Sequence, residues 1–288
     1  MKKRVTGKSF LRKGNDFLLV ILAILVCMPI IMTILASIKS GWELSDSLLP
    51  VLSEMGEKVH WKLLPAYPTF KHYFKLLLET PQFFTVFWNS VKITVPILLG
   101  QLLVSVPAGW AFAHFSFPFK KVVILLYIVL MLMPFQVTML PSYFVMNQLN
   151  LMGTQASVII PAIFSTFPVF IIYRGFQAIP IEIIEAARVD GAGDFAIFRK
   201  IGIPLGMPGI LSALVLGFLE YWNMMEQPLA FIRDKSLWPM SLYLPEIESS
   251  QAGIALASSV IVLIPAYFVF ALGQDYLEQG IISSGIKK

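Results

Sequence analysis

The chain has 288 residues, of which 57% are hydrophobic and only 14% are charged. Soluble domains carry about a quarter charged residues, so this composition excludes an ordinary soluble protein and favours one that crosses a membrane several times. The net charge of +5 does not indicate nucleic-acid binding, because Lys and Arg gather at the ends of apolar runs. The single cysteine, Cys27, excludes an intramolecular disulfide.

The N-terminal stretch joins a basic tail to a long apolar run. Residues 1–15 contain six Lys and Arg and no acidic residue. The run 17–38 is free of charge and long enough to cross a bilayer, longer than the hydrophobic part of a signal peptide. We therefore predict an uncleaved first span that follows a cytoplasmic tail at residues 1–16.

Five further apolar runs follow in the chain. Each is uniformly apolar, which indicates helices, because the strands of a membrane barrel would alternate polar and apolar residues. No linker or internal repeat divides the sequence. We predict an all-α membrane protein with one domain and six transmembrane helices, at residues 17–38, 93–113, 122–146, 156–173, 205–230 and 253–273.

The distribution of basic residues predicts the orientation. Fourteen of the 22 Lys and Arg lie in four places, namely the N-terminal tail, positions 120 and 121, the segment 174–204 and the C-terminus. These segments share one side of the membrane in the six-span arrangement. Because cytoplasmic loops are enriched in Lys and Arg, both termini are predicted to be cytoplasmic.

Residues 39–84 form the largest segment predicted to lie outside the cytoplasm. Phe70, Tyr73, Phe74 and Leu77 fall at helical spacing among basic residues. This pattern favours a helix lying at the membrane surface. The alternative is a small cap over the outer face of a neighbouring subunit.

A polar insert at 174–204 separates the fourth and fifth spans. Pro180 suits the first position of a short helix, with Glu182 near its positive end and Arg188 near its negative end. Gly191 can take the positive φ that closes a helix. A second short helix is predicted from Asp194 to Lys200, ending at Gly202 and Pro204. The pattern alone fits a docking element for a partner or an amphipathic helix that covers neighbouring spans.

The same insert resembles the EAA signature of ABC importer permeases. The match comprises Glu185-Ala186-Ala187, Gly191, Ile201 and Ile203-Pro204, with Ile203 in place of the usual Leu. In that family the cytoplasmic coupling helix enters a groove of an ATPase subunit. The resemblance implies that this contact is made by Glu182, Glu185, Ala186, Ala187, Arg188, Asp190 and Gly191.

Polar residues near the end of the fifth span are candidates for a substrate pathway. Glu220 lies roughly 22 Å along the helix from Leu205, where a carboxylate is costly unless it faces water or a partner. Trp222 and Asn223 follow it, and an indole ring offers a stacking surface for a sugar. Alternatively, Glu220 pairs with another helix and Trp222 belongs to an aromatic belt. Weaker candidates on or after the third span are Gln136, Tyr143 and Asn147.

No motif indicates an enzyme, a metal site or a cofactor. His60, His72 and His114 are scattered without the spacing of metal ligands. The pattern from Gly191 to Ala196 matches a dinucleotide-binding motif, but no strand is predicted before it. We therefore expect no catalytic residue, no metal and no cofactor in this chain.

Further motifs resemble the maltose-type carbohydrate permeases, in particular their second permease subunit. They are Asn89-Ser90, Leu140-Pro141-Ser142-Tyr143, Tyr221-Trp222-Asn223 with Pro228-Leu229, and the tail from Gly280 to Lys287, in which Ser284 replaces a glycine. The resemblance implies an importer built from two permeases, two ATPase subunits that bind ATP and Mg²⁺, and an extracytoplasmic binding protein. Its cargo is expected to be an oligosaccharide or glycoside. The alternatives are another solute such as glycerol phosphate, or a secondary transporter without an ATPase.

Overall fold

A computed structural model describes residues 4–52, 62–243 and 251–285, and the described residues are helical or irregular, without a strand. The chain divides into two compact units. The first comprises residues 1–81 and 244–263, and the second comprises residues 82–243 and 264–288.

The helices follow one another with short connections. In chain order, those in the described ranges are α1 (Arg4–Ser37), α2 (Gly41–Leu52), α3 (Lys71–Glu79), α4 (Pro81–His114), α5 (Lys120–Leu132), α6 (Phe135–Gln148), α7 (Ala156–Ile163), α8 (Thr166–Gln177), α9 (Ile181–Val189), α10 (Asp194–Ile197), α11 (Ile203–Trp222), α12 (Glu226–Phe231) and α13 (Ala252–Gly285).

The prediction of an all-helical membrane protein is confirmed. Among the described residues, five helical stretches are long and apolar enough to cross a membrane, and the number reaches the predicted six when a bent pair of helices is counted as one span. The five are Asn15–Ser37, Pro81–His114, Ala156–Gln177, Asp194–Trp222 and Ala252–Glu278.

The third span differs from the continuous helix predicted at 122–146. It consists of α5 and α6, which meet at an angle of 104°. Pro134 lacks an N–H, and its ring disfavours a helical conformation for the residue before it. Met133 is accordingly extended, with φ −71° and ψ 129°. The sequence showed the proline but not whether the helix would bend or break there.

The fifth span also corrects the sequence prediction at both ends. The insert has no separate second helix that ends at Gly202 and Pro204, because α10 runs through a π-helical turn, Phe198–Gly202, directly into α11. The wider turn accommodates Pro204, which cannot donate a helical hydrogen bond. At the other end the helix stops at Trp222 rather than continuing to residue 230, and α12 is separate.

The first unit places a short helix where the sequence predicted one. In α3, His72 and Leu76 are buried, whereas Phe70 and Phe74 are each 64% exposed. The backbone N–H of Thr69 donates to the Ile38 carbonyl at 2.7 Å, so α3 begins beside the end of α1. The position of α3 at a membrane surface remains a prediction, and α2 was not anticipated.

Two groups of buried side chains form the core of the second unit. The insert cluster contains residues of the insert and of the spans beside it: Trp110, Ile172, Phe176, Ile179, Ile184, Ile197, Ile210 and Ala213. The far cluster lies near the other end of α11: Ile93, Ile97, Met146, Val158, Ala162, Tyr221, Phe231 and Ile232.

Glycines allow the helices around the insert cluster to approach closely. A Cβ atom on either Gly175 of α8 or Gly209 of α11 would lie 2.9 Å from the Cα of the other residue. A Cβ on Gly202 would lie 2.5 Å from the ring of Trp110. The backbones of Gly175 and Gly209 touch, and the backbone of Gly202 lies against the Trp110 ring, so additional atoms at these positions have almost no room.

Candidate docking insert and polar end of the fifth span

The first insert helix forms as predicted, with a shift of one residue. Helix α9 begins at Ile181, so Pro180 is the N-cap residue rather than the first helical residue. Glu182 lies in the first turn and Arg188 in the last turn, where each charge is favourable to the helix dipole.

The end of α9 confirms the role predicted for Gly191. This glycine has φ +81°, a conformation that other residues adopt only with strain. Its N–H donates to the Arg188 carbonyl at 3.0 Å, and the N–H of Ala192 donates to the Ala187 carbonyl at 3.0 Å. This pair of bonds is a Schellman motif, which satisfies carbonyls at the end of the helix.

The two faces of α9 differ in what they contact. Ile184 is 1% exposed and belongs to the insert cluster, against which Ala187 also packs. On the opposite face, Ala186 is exposed and Val189 is 88% exposed. The insert therefore fixes one face against the spans and presents a face of small and apolar residues.

Exposed neighbours extend this face. Glu182, Glu185, Asp190 and Gly191 are exposed, and so is Phe195 at 74%. Sequence reasoning missed Val189 and Phe195, because exposure of an apolar side chain cannot be read from its type. Arg188 donates to the Asp194 carboxylate at 3.1 Å, which joins α9 to α10.

The predicted pathway residues of the fifth span have different surroundings. Glu220 and Asn223 are exposed, and the Asn223 side-chain amide donates to the Leu219 carbonyl at 2.8 Å. Trp222 is only 3% exposed, and its ring stacks on that of Phe218 with a centroid distance of 5.2 Å. The indole face is therefore covered in this conformation, and a contact between Trp222 and substrate remains a prediction.

The weaker candidates lie around the bent third span. The Gln136 amide donates to both carboxylate oxygens of Glu226, at 3.2 and 3.1 Å, which links α6 to α12. Tyr143 packs against Phe231 of the far cluster, and Asn147 is exposed. The structure thus brings Gln136 together with Glu226 and leaves the transport role of all these residues as a prediction.

Asn89 and Ser90 form hydrogen bonds to a loop. The sequence alone did not indicate these bonds. The Asn89 amide donates to the carbonyls of Ser236 and Trp238, at 2.7 and 3.1 Å. The Ser90 hydroxyl accepts the N–H of Met240 at 2.7 Å. One pair of residues on α4 therefore holds the loop that follows α12.

Possible metal ligands are dispersed. In the described ranges, no group of three His, Cys, Asp or Glu side chains lies close enough together to hold a metal ion. The candidate site consists of the insert face and the polar residues at the far end of α11.

A sequence profile described as the binding-protein-dependent transport system inner membrane component matches residues 105–283, which is more than half of the chain. This chain belongs to that family. It is a multi-pass permease component of a membrane transport system, and the resemblance noted in its motifs is confirmed.

Individual relatives agree with this assignment. The chain is 29% identical to the arabinooligosaccharides transport system permease protein AraQ of Halalkalibacterium halodurans, over 92% of this chain and 93% of that protein. It is 26% identical to the sn-glycerol-3-phosphate transport system permease protein UgpE of Brucella abortus, over 68% of this chain and 72% of that protein. Both relatives are named as transport permeases and not as enzymes.

A solved structure shares the fold. A bacterial ABC transporter involved in the import of the acidic polysaccharide alginate matches with a TM-score of 0.77 and 24% identity, over 96% of this chain and 99% of the matched chain. At this identity the likeness establishes the arrangement of the helices alone.

Proposed function

We propose that this chain is a permease subunit of an ATP-driven ABC importer for carbohydrates. Family membership carries the proposal, and the relative AraQ is named for arabinooligosaccharides. In this function the protein alternates between two conformations, and ATP biases the equilibrium between them. The chain supplies the passage, while a separate ATPase subunit binds ATP and Mg²⁺.

The partners follow from the same proposal. A second, homologous permease completes the passage, two ATPase subunits dock below it, and a solute-binding protein delivers the cargo outside. This arrangement requires cytoplasmic termini and a cytoplasmic insert, as the distribution of basic residues predicts. The exposed face of α9 then meets the ATPase, with Ala186 and Gly191 permitting close approach.

Bulky substitutions on the insert test the docking. Ala186→Leu keeps a residue of high helix propensity and projects a larger side chain from the exposed face of α9. Gly191→Leu adds bulk and also strains the residue with φ +81°. We expect each to lower copurification of the ATPase by about tenfold or more, which corresponds to about 1.4 kcal/mol, and to lower uptake in parallel.

Gly153 provides a matched control for strain. It also has φ +81°, and a Cβ atom there would have open space, as at Gly191. Gly153→Leu should therefore cost similar folding energy without affecting the ATPase. Wild-type assembly and uptake in both insert variants would refute docking through this face.

Cargo is tested by uptake into proteoliposomes that contain the complete importer and its binding protein. Arabinooligosaccharides, other oligosaccharides and sn-glycerol 3-phosphate serve as the probes. The carbohydrate proposal expects ATP-dependent uptake of an oligosaccharide. Uptake of sn-glycerol 3-phosphate alone would favour the second candidate, for which the likeness to UgpE is the specific observation. Uptake by the isolated chain without nucleotide would instead support a secondary transporter.

The exposed carboxylate of Glu220 is the first residue to examine for contact with cargo. Glu220→Gln retains the size and removes the charge. If this residue lines the pathway, the substitution should change the KM for uptake by several-fold with little change in copurification of the ATPase. An unchanged KM would remove Glu220 from the pathway.

A further inference from the structure

A buried polar cluster lies among the apolar spans of the second unit. Gln101 of α4 is 3% exposed and Tyr221 of α11 is 7% exposed. An amide or phenol in such surroundings is costly unless its hydrogen-bonding groups find partners. The partners they find therefore show how the spans are held together.

Gln101 uses both amide hydrogens on two different spans. Its Nε2 donates to the Ala162 carbonyl at 2.8 Å and to the Tyr221 hydroxyl at 2.9 Å. One amide thus connects α4 to both the fourth span and the fifth.

The contact of Gln101 on the fourth span adjoins the interruption of that span. Helix α7 ends at Ile163 and α8 begins at Thr166. The Ala162 carbonyl, which accepts from Gln101, lies one residue before the end of α7. The interruption is therefore held by a bond from a neighbouring span.

The backbone of α4 also lies directly against this interruption. A Cβ atom on Gly100 would lie 2.5 Å from Cγ1 of Ile163, the last residue of α7. This close packing places the side chain of the next residue, Gln101, within reach of the Ala162 carbonyl.

Tyr221 lies at the opposite end of a long helix from the insert. The helical stretch Asp194–Trp222 is continuous and begins within the insert. If this helix moves as a unit relative to α4, the bond between Gln101 and Tyr221 must lengthen or break. The bond therefore distinguishes the described conformation from any conformation in which the fifth span has moved.

We propose that Gln101 is a positioning residue of the transport cycle. Its amide joins the interruption of the fourth span, at Ala162, to Tyr221 of the fifth span in the described conformation, and these bonds are released when the passage changes its direction of access. This inference rests on the proposed transport function and adds a residue that lies outside the insert and the predicted pathway.

The test uses the complete importer in proteoliposomes. Tyr221→Phe removes one hydroxyl, Gln101→Leu removes the amide at similar volume, and the double variant removes both. Tyr267→Phe, with a ring 68% exposed on α13, is the control for the same chemical change. Two quantities are measured for each variant. The first is solute uptake by the complete importer, and the second is the ATP hydrolysis that occurs when the binding protein is absent.

Each single variant should shift the ratio of ATP hydrolysed to solute taken up by about threefold to tenfold, because a buried hydrogen bond contributes about that factor to an equilibrium. The double variant should shift the ratio no further than Gln101→Leu alone, since both changes remove the same bond. Tyr267→Phe should leave the ratio unchanged. A purely structural role would reduce the yield of complex but not this ratio.

A distance measurement reports the conformation without relying on ATP hydrolysis. In a Cys27→Ala chain, spin labels are placed at Phe164 and Met225, which are 66% and 45% exposed. Gln101→Leu should add a second population to the distance distribution. Unchanged distances together with an unchanged hydrolysis ratio would overturn the inference. Absence of ATP-dependent uptake by the wild type would instead overturn the proposed function, whatever the labels show.

Discussion

The insert cluster and the far cluster stabilise the same unit in different ways. Around the insert cluster, helices meet backbone to backbone, as at Gly175 and Gly209. Around the far cluster, spans are interrupted and a loop is attached by side-chain hydrogen bonds, such as those of Asn89. The end that receives the insert is therefore tightly packed, and the other end is joined by bonds that can be exchanged individually.

The largest effect is expected at the packed end. Gly175→Val places a Cβ 2.9 Å from the Gly209 Cα, a backbone atom that cannot move aside as the end of a flexible side chain could. Overpacking of this kind typically costs about 1–3 kcal/mol or more. We expect a thermal midpoint in detergent several degrees lower than that of the wild type.

Gly193→Val is the control for this comparison. Gly193 also lies beside a helix, but a Cβ atom there meets nothing within 4 Å. If it destabilises the protein as much as Gly175→Val does, close packing is not the reason.

An intermediate effect is expected at the hydrogen-bonded end. Asn89→Ala leaves two carbonyls without their amide donor, at a cost of about 1–3 kcal/mol. The loss of stability should be local. Amide hydrogen exchange should therefore accelerate in residues 235–242 and remain unchanged in α9. Ser259→Ala serves as the control, because that exposed hydroxyl bonds only within its own helix. Equal acceleration throughout the protein would show that the two ends are not separable.

The smallest effect is expected at the surface of the insert. Arg188 and Asp194 form an ion pair whose side chains are 46% and 59% exposed. Exposed pairs contribute roughly 0–1 kcal/mol, and salt screens them. Arg188→Ala should barely change the thermal midpoint. A drop as large as that of Gly175→Val would show that α9 depends on this pair rather than on burial of Ile184.

The sequence predicted the insert better than it predicted the far end. The cap at Gly191 depends on a few neighbouring residues, so its positive φ and the end of α9 could be predicted locally. The break at Pro134 and the passage of the helix through Pro204 could not, because tertiary packing decides whether a proline bends, interrupts or merely widens a helix.

The polar network around Gln101 was missed for a related reason. A single amide in an apolar run gives no sign of its partners, which come from residues 61 and 120 positions away in the chain. Likewise, Trp222 is a candidate either for stacking on a sugar or for an aromatic belt, and nothing in its local sequence indicated that its ring stacks on Phe218. Residue type indicates a capacity for contact, whereas packing determines which contact is made.

The uninterrupted helix from Asp194 to Trp222 has a mechanical consequence. Its 29 residues correspond to a rod about 43 Å long at 1.5 Å per residue. Because the π-helical turn joins the insert to the span without a break in the helix, a tilt of about 5° of the whole helix would displace the Trp222 end by roughly 4 Å relative to the insert end. That distance exceeds a hydrogen bond, so a modest rocking motion on one side of the membrane is sufficient to rearrange polar contacts on the other.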